Sequence, residues 1–81
     1  MLDSLQQSNK VIGIKQTNKA LNQDKVKTLY LAEDAEAHLI EKLKDIASKK
    51  NIEIIYVDSM KKLGKACGID VSAATAAVLK S

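Results

Sequence analysis

Polar side chains that can hold an anion or read a nucleic-acid base are concentrated between Gly13 and Lys19, in the run GIKQTNK. On a helical wheel of about 100° per residue, Lys15, Gln16 and Lys19 lie on one side. The opposite side carries Ile14, Thr17 and Leu21. The spacing predicts an amphipathic helix that packs one face on a sheet and presents ammonium and amide groups on the other.

The beginning of this helix adds backbone chemistry to the side chains. Its first N–H groups lack intrahelical partners and carry a partial positive charge, and Gly13 permits a tight turn there. Phosphates suit such a helix end, while Lys and Gln donors suit acceptors on base edges. An amphipathic surface helix with a solvated lysine face has the same pattern, so the residues alone leave both interpretations open.

Charge is distributed unevenly along the 81 residues, although the formal net charge is only +3. Residues 1–30 hold five Lys and two Asp, residues 31–58 hold four Lys and seven acidic residues, and residues 59–81 hold four Lys and one Asp. A fold that brings the two basic segments together makes one side positive and favours a polyanion. Accidental asymmetry on a solvated surface is the alternative.

The chemistry of other functional classes is missing from the sequence. No nucleotide-binding P-loop and no Gly-x-Ser-x-Gly elbow is present, and a lone His38 and a lone Cys67 cannot assemble a zinc site. We therefore predict a protein that is not an enzyme and needs no metal or cofactor. We interpret His38 as an exposed helix residue and Cys67 as a small buried core residue.

Only two aromatic residues, Tyr30 and Tyr56, are present, and both fall in predicted core strands. Domains that hold single strands by stacking need several exposed aromatic side chains. This disfavours an RNA-recognition-motif sheet, a cold-shock barrel or another OB-fold. The remaining interpretation for a nucleic-acid ligand is a folded RNA that is recognised by a helix end and a loop.

Length and composition predict the broad class. At 81 residues, with 46% hydrophobic and 28% charged residues, the chain suits one globular domain. The first ten residues lack the apolar core of a signal peptide, and no run of about 20 apolar residues could span a membrane. We predict a cytoplasmic protein with no membrane partner, and we expect a monomer because no heptad pattern is present.

The elements that must position the polar segment alternate along the chain. Strands are predicted over Val11–Ile12, Thr28–Ala32, Ile52–Val57 and Ala73–Leu79. Helices are predicted over Asp3–Gln7, from Gly13 to about Asn22, from Asp34 to Lys50, and from Ser59 to Gly68. This order predicts an α/β fold with a parallel βαβ unit between Thr28 and Val57. The alanine-rich last segment suits a helix equally well.

Cap residues mark the ends of the two later helices. Asp34 is a predicted N-cap, with Glu36 in the first turn, and Asn51 is a predicted stop just past the C-terminus. Ser59 is predicted to cap the last helix and Gly68 to close it.

Two separated motifs resemble the ribosomal protein L7Ae family, most closely its small bacterial members. They run from Gly13 to Leu21 (GIKQTNKAL) and from Leu63 to Ile69 (LGKACGI), with Ala32 to Glu36 (AEDAE) between them. The resemblance implies a three-layer α/β/α sandwich around a four-stranded mixed sheet. It also implies binding to kink-turn RNA, a sharply bent duplex with tandem sheared G·A pairs beside a short bulge.

The resemblance also implies roles for individual residues. Gly13, Lys15, Gln16, Thr17 and Lys19 belong to the segment that would meet the G·A pairs through a widened major groove. The loop formed by Ile69, Asp70 and Val71 would cover the bulge, and Glu36 would contact an extruded base. Archaeal members have Asn-Glu in place of Lys15-Gln16, whereas the Lys-Gln form resembles the L30e branch.

Taken together, we expect residues 1–81 to form a single RNA-binding domain that stabilises kink-turn RNA, with the ribosome as one setting. The alternative is a small protein-interaction or assembly module of the same fold that binds no specific RNA.

Overall fold

A computed structural model of the chain describes residues 9–80. The helix predicted over Asp3–Gln7 lies outside these residues. The described elements are β1 (Lys10–Ile12), α1 (Ile14–Asn22), β2 (Val26–Ala32), α2 (Ala37–Lys49), β3 (Glu53–Val57), α3 (Met60–Ala66) and β4 (Thr75–Leu79). None of the helices within this part of the chain has the length and apolar character required to cross a membrane.

The four strands form one mixed sheet in the order β1-β4-β2-β3. β2 and β3 run parallel, which confirms the predicted βαβ unit, and β4 runs antiparallel to both β1 and β2. The alanine-rich last segment is therefore a strand. Pairing on both sides satisfies its backbone groups, and this tertiary gain outweighs the helix propensity of alanine.

Helices cover both faces of the sheet, so the predicted three-layer α/β/α arrangement is confirmed. Leu29 and Leu31 of β2 point into the cluster formed with α1 and α2, while Tyr30 and Ala32 point into the cluster formed with α3. Because both faces are covered, β2 is apolar over consecutive positions instead of alternating. Each fully buried leucine contributes about 1.5–3 kcal/mol by leaving water.

The predicted beginning of α2 at Asp34 is wrong, because this helix starts at Ala37 and Glu36 is its N-cap residue. The Asp34 carboxylate instead accepts a hydrogen bond from the backbone N–H of Met60, at 2.7 Å, in the first turn of α3. Asp34 thus ties the β2–α2 connection to the following helix on the other face of the sheet. Its position just before α2 predicted a cap for that helix, but the helix that it contacts is α3.

The other predicted helix ends are confirmed. The Ser59 hydroxyl accepts a hydrogen bond from the backbone N–H of Lys62 at 3.1 Å, as an N-cap does. Asn51 follows α2 with a φ of 56°, and Gly68 follows α3 with a φ of 81°. Both residues end their helices in the left-handed region, which asparagine and glycine adopt most readily.

Candidate nucleic-acid interface

One edge of the sheet collects the segments that the sequence marks as functional. Register pairs Ile12 with Ala76 and Leu31 with Thr75. Parallel pairing places the ends of β2 and β3 side by side. The ends of β1, β2 and β3 and the beginning of β4 therefore share one edge. The start of α1, the turn before α2 and the loop before β4 all project from it.

Backbone hydrogen bonds fasten the loop before β4 to its neighbours at this edge. The N–H of Gly13 donates to the carbonyl of Thr75 at 2.9 Å, and the N–H of Ala32 donates to the carbonyl of Ala74 at 3.0 Å. The first bond joins the start of α1 to the first residue of β4, which follows the loop directly although it is far from Gly13 in sequence. Gly13 has a φ of 97°, and a Cβ there would meet no atom within 4 Å. Backbone conformation, not space, therefore requires glycine at this position.

The loop that carries Ile69, Asp70 and Val71 rests on α3 through an unusually close backbone approach. A Cβ on Gly64 would stand 2.0 Å from the carbonyl oxygen of Val71, well inside any real contact distance. The N–H of Ile69 also donates to the Gly64 carbonyl at 3.1 Å. Gly64 thus fixes where the loop lies, a role that sequence reasoning missed. The signal in the sequence was a glycine inside a predicted helix, where glycine lowers helix stability by about 1 kcal/mol relative to alanine.

The polar face of α1 is open to solvent as predicted. Lys15, Gln16 and Lys19 are exposed, and none of them has a side-chain hydrogen bond or ion pair with another residue of the range 9–80. The first intrahelical bond runs from the N–H of Thr17 to the carbonyl of Gly13, at 3.0 Å. The backbone N–H groups before Thr17 therefore lack intrahelical acceptors, and the helix begins without an acidic residue in its first turn. This end of α1 can receive an anion.

Thr17 does not share this exposed face. Its side chain is 0% exposed, as its inward place on the helical wheel predicts, although the family resemblance includes Thr17 in the contact segment. The Thr17 hydroxyl has no hydrogen-bond partner among the described residues. Ile14 departs from the wheel, which places it inward, because 37% of it is exposed. As the first residue of α1, it lies at the rim of the sheet and only partly over it.

The remaining predicted site residues are accessible at the same edge. Glu36 is exposed, and its side chain makes no capping bond to α2. In the loop, Ile69 is half-buried, Asp70 is exposed, and Val71 is 68% exposed. An aliphatic side chain held so far out of the core offers an apolar surface to a ligand at this edge.

Further lysines on α3 stand next to this loop. Lys62 forms an ion pair with Asp58 at 3.0 Å. Lys61 and Lys65 are exposed and have no ion-pair partner within residues 9–80. Lys65 lies in the last turn of the helix, directly before the loop. The structure thus adds positive charge to the edge from an element outside the predicted site.

The two tyrosines differ in environment. Tyr30 is 4% exposed, in agreement with its predicted place in the core, but Tyr56 is 45% exposed, so its assignment to the core is wrong. Tyr56 lies on β3, which is an outer strand of the sheet. Strand patterning identified β3 correctly but could not show that one of its faces lacks cover at this position.

The isolated histidine and cysteine match their predicted places. His38 is exposed on α2, and Cys67 is a buried free thiol whose pKa is raised by that burial. Within residues 9–80, no group of three or more His, Cys, Asp or Glu side chains is placed to hold a metal ion.

Comparison with known proteins agrees with the fold and with the two motifs. A model of the ribosomal protein L7Ae/L30e/S12e/Gadd45 family matches residues 2–81. RNA-binding protein BH0128 of Halalkalibacterium halodurans is 59% identical over 75 residues, covering 93% of this chain and 92% of that protein. RNA-binding protein YbxF of Geobacillus stearothermophilus is 47% identical over 76 residues, covering 94% and 93%.

Solved structures show the same architecture. A protein of unknown function from Bacillus halodurans superimposes with a TM-score of 0.88 at 25% identity, over 99% of this chain and 84% of that one. The Giardia lamblia 15.5kD RNA binding protein also gives a TM-score of 0.88, at 22% identity, over 99% of this chain and 71% of that one. At this identity, the second likeness concerns the fold alone.

Proposed function

The chain belongs to the ribosomal protein L7Ae/L30e/S12e/Gadd45 family, and we propose that it binds folded RNA containing a kink-turn, without catalysis. The relatives named as RNA-binding proteins cover nearly the whole chain, which supports RNA as the ligand class. The exposed lysines of α1 and α3 are consistent with a polyanionic partner.

A single observation carries the proposal: the hydrogen bond between Gly13 and Thr75 joins the start of α1 to the first residue of β4, directly after the loop that carries Val71. A kink-turn presents a bent duplex and an adjoining bulge at the same time. A protein that recognises this shape needs two contact segments in a fixed relation. The start of α1 and the loop at Val71 provide such a pair on one edge.

In the proposed complex, each segment has a separate task. The amide of Gln16 and the ammonium groups of Lys15 and Lys19 meet acceptors on the sheared G·A pairs, while the N-terminus of α1 attracts nearby phosphates. The loop with Val71 covers the bulge by apolar contact, and Glu36 accepts a hydrogen bond from an extruded base. The basic groups orient the RNA, and the amide and carboxylate contribute discrimination.

We further propose that binding selects RNA shape. Free RNA exchanges between an open and a kinked form, and a protein with higher affinity for the kinked form shifts the population towards it. Because Gly64 and the bonds to Thr75 and Ala74 already hold the loop in place, little ordering entropy is lost on binding. The setting that we propose is cytoplasmic, with a ribosomal or another structured RNA as the target of a monomer.

The test compares a kink-turn RNA with the same RNA carrying Watson–Crick pairs in place of the G·A pairs, by gel shift at fixed salt. We expect Lys19→Ala to weaken binding to the kink-turn by about 1–3 kcal/mol, which is roughly 5- to 150-fold. The matched control is Lys42→Ala, which removes an exposed lysine from α2 and leaves the proposed edge intact.

Three results would count against the proposal. Equal affinity of the wild-type protein for the two RNAs would show that the G·A pairs are not read. Equal weakening by Lys19→Ala and Lys42→Ala would show that Lys19 contributes only general charge. Absence of RNA binding altogether would favour a protein-interaction module of the same fold.

A further inference from the structure

A shallow groove lies between α2 and the outer strand β3, and no residue of α1 or of the loop at Val71 lines it. Its volume is about 460 Å³, and it is open to solvent along one side. Its lining consists of Glu33, Ala37, Ile40, Glu41, Lys44 and Tyr56. An aromatic side chain that is 45% exposed beside aliphatic groups is a surface that a partner could cover.

The fold explains why Tyr56 lacks cover. Side chains alternate along a strand, so Ile54 and Tyr56 share the face of the sheet on which α2 packs. Ile54 contacts the core cluster under α2, but Tyr56 lies two residues further along, near the beginning of that helix. The first residue of α2 lines the groove as Ala37, whose methyl group is too small to fill the space beside Tyr56.

The groove carries negative charge at its margins. Glu33 and Glu41 are exposed, and neither has an ion-pair partner within the described part of the chain. Lys44 is the single cation among the lining residues. These carboxylates repel a phosphate backbone and attract a cationic group, which argues against RNA as the occupant.

The unpaired side of the outer strand β3 also favours a polypeptide as the partner. β3 is the last strand in the order, and no further strand pairs with it among residues 9–80. Backbone groups along such an edge can pair with an extended segment of another chain. An extended peptide can therefore pair with the backbone of β3 and place its side chains in the groove at the same time.

We propose that this groove docks an extended, arginine-bearing segment of a partner protein. A guanidinium group is planar, stacks on an aromatic ring and forms paired hydrogen bonds with carboxylates, so it suits Tyr56 flanked by Glu33 and Glu41. Apolar atoms of the segment contact Ile40 and Ala37. The chain contains no arginine, so a second copy of itself cannot supply this group.

The test titrates the isotope-labelled protein with the pentapeptide Gly-Arg-Leu-Arg-Gly, acetylated and amidated, and follows backbone amide shifts by NMR. We expect shifts clustered at the start of α2 and at the end of β3, and weaker binding of the matching lysine peptide. Tyr56→Ala and Glu41→Gln should each raise Kd about 2- to 5-fold. The control Glu53→Gln alters a carboxylate on β3 outside the groove and should leave Kd unchanged.

Several outcomes would overturn the assignment. The interaction would be general charge attraction if the shifts centred elsewhere or if the lysine peptide bound as tightly as the arginine peptide. The same conclusion would follow if Glu53→Gln raised Kd as much as Glu41→Gln. Shifts at Tyr56 on addition of kink-turn RNA, with none from the peptide, would assign the groove to nucleic acid. Glu41→Gln changes only the solvent side of a helix, so it keeps the test valid if Tyr56→Ala fails to fold. RNA affinity measured for Tyr56→Ala and Glu41→Gln separates this proposal from the kink-turn proposal, since neither Tyr56 nor Glu41 belongs to the proposed RNA contact.

Discussion

Replacement of Gly64 by alanine tests whether the loop before β4 really rests on α3. In an ordinary helix, this change stabilises a protein by about 0.5–1 kcal/mol, because alanine loses less backbone entropy on folding. Here the new Cβ would stand 2.0 Å from the carbonyl oxygen of Val71 and 3.0 Å from its carbonyl carbon. The obstacle is backbone, so the loop itself must move by about 1 Å or more to restore normal contact.

The two effects oppose each other, and the clash should win. Overpacking costs typically 1–3 kcal/mol, and a backbone obstacle places this case at about 2–3 kcal/mol. With about 1 kcal/mol recovered from helix propensity, we expect Gly64→Ala to lower the free energy of unfolding by about 1–2 kcal/mol. Since the loop at Val71 moves, affinity for kink-turn RNA should fall as well.

The assay combines urea unfolding with RNA titration on the same preparations. The control Lys61→Ala changes an exposed position of the same helix and should alter the free energy of unfolding by less than about 0.5 kcal/mol. A rise in unfolding midpoint for Gly64→Ala would refute the close approach of loop and helix. Lower stability with unchanged RNA affinity would refute the role given to the loop in recognition.

Three other outcomes can be measured on single variants or on the wild-type protein. Thr17→Val removes a buried hydroxyl that lacks a partner, so thermal unfolding should show a gain of about 1 kcal/mol with RNA affinity retained; a loss would mean that the hydroxyl is bonded. A hydrogen bond from Lys50 and the attraction of its charge lower the pKa of Asp24, so this contribution to stability is present above about pH 4 and disappears as pH falls through the lowered pKa. Asp24→Asn, which keeps the left-handed backbone at that turn, should therefore flatten the acid side of the urea-midpoint profile, and an unchanged profile would show that the pair contributes nothing. Burial raises the pKa of the Cys67 thiol, so iodoacetamide at pH 8 should label it slowly in the native protein and quickly in urea; equal rates would contradict its place in the core.

Local patterns predicted most of the elements because their causes are local. The 3.6-residue period of α1 separated Lys15, Gln16 and Lys19 from the buried Leu21, and the structure keeps that separation. The same period placed Thr17 on the inward side with Leu21, and Thr17 is 0% exposed, although the family resemblance grouped it with the contact residues. It is the packing of α1 over β1 and β4 that buries it.

The ends of elements were harder to predict, since a cap residue acts through whatever lies nearby. Asp34 has the side chain of an N-cap and stands near the start of α2, yet its carboxylate bonds to Met60 of α3. That contact forms because β2 and β3 are parallel neighbours and end side by side. Nothing in the local sequence around Asp34 contains this information.

By itself, the sequence determined the α/β class, the polar face of α1 and the two motifs of the family, because periodicity and turn chemistry depend on residues a few positions apart. Only the tertiary structure decided that Gly13 meets Thr75, that Gly64 supports Val71, and that Tyr56 stays open beside α2. These relations arise from strand order and register, in which pairings between distant segments compete for the same backbone hydrogen bonds. A pattern read along the chain cannot rank those pairings, whereas the folded sheet contains one of them.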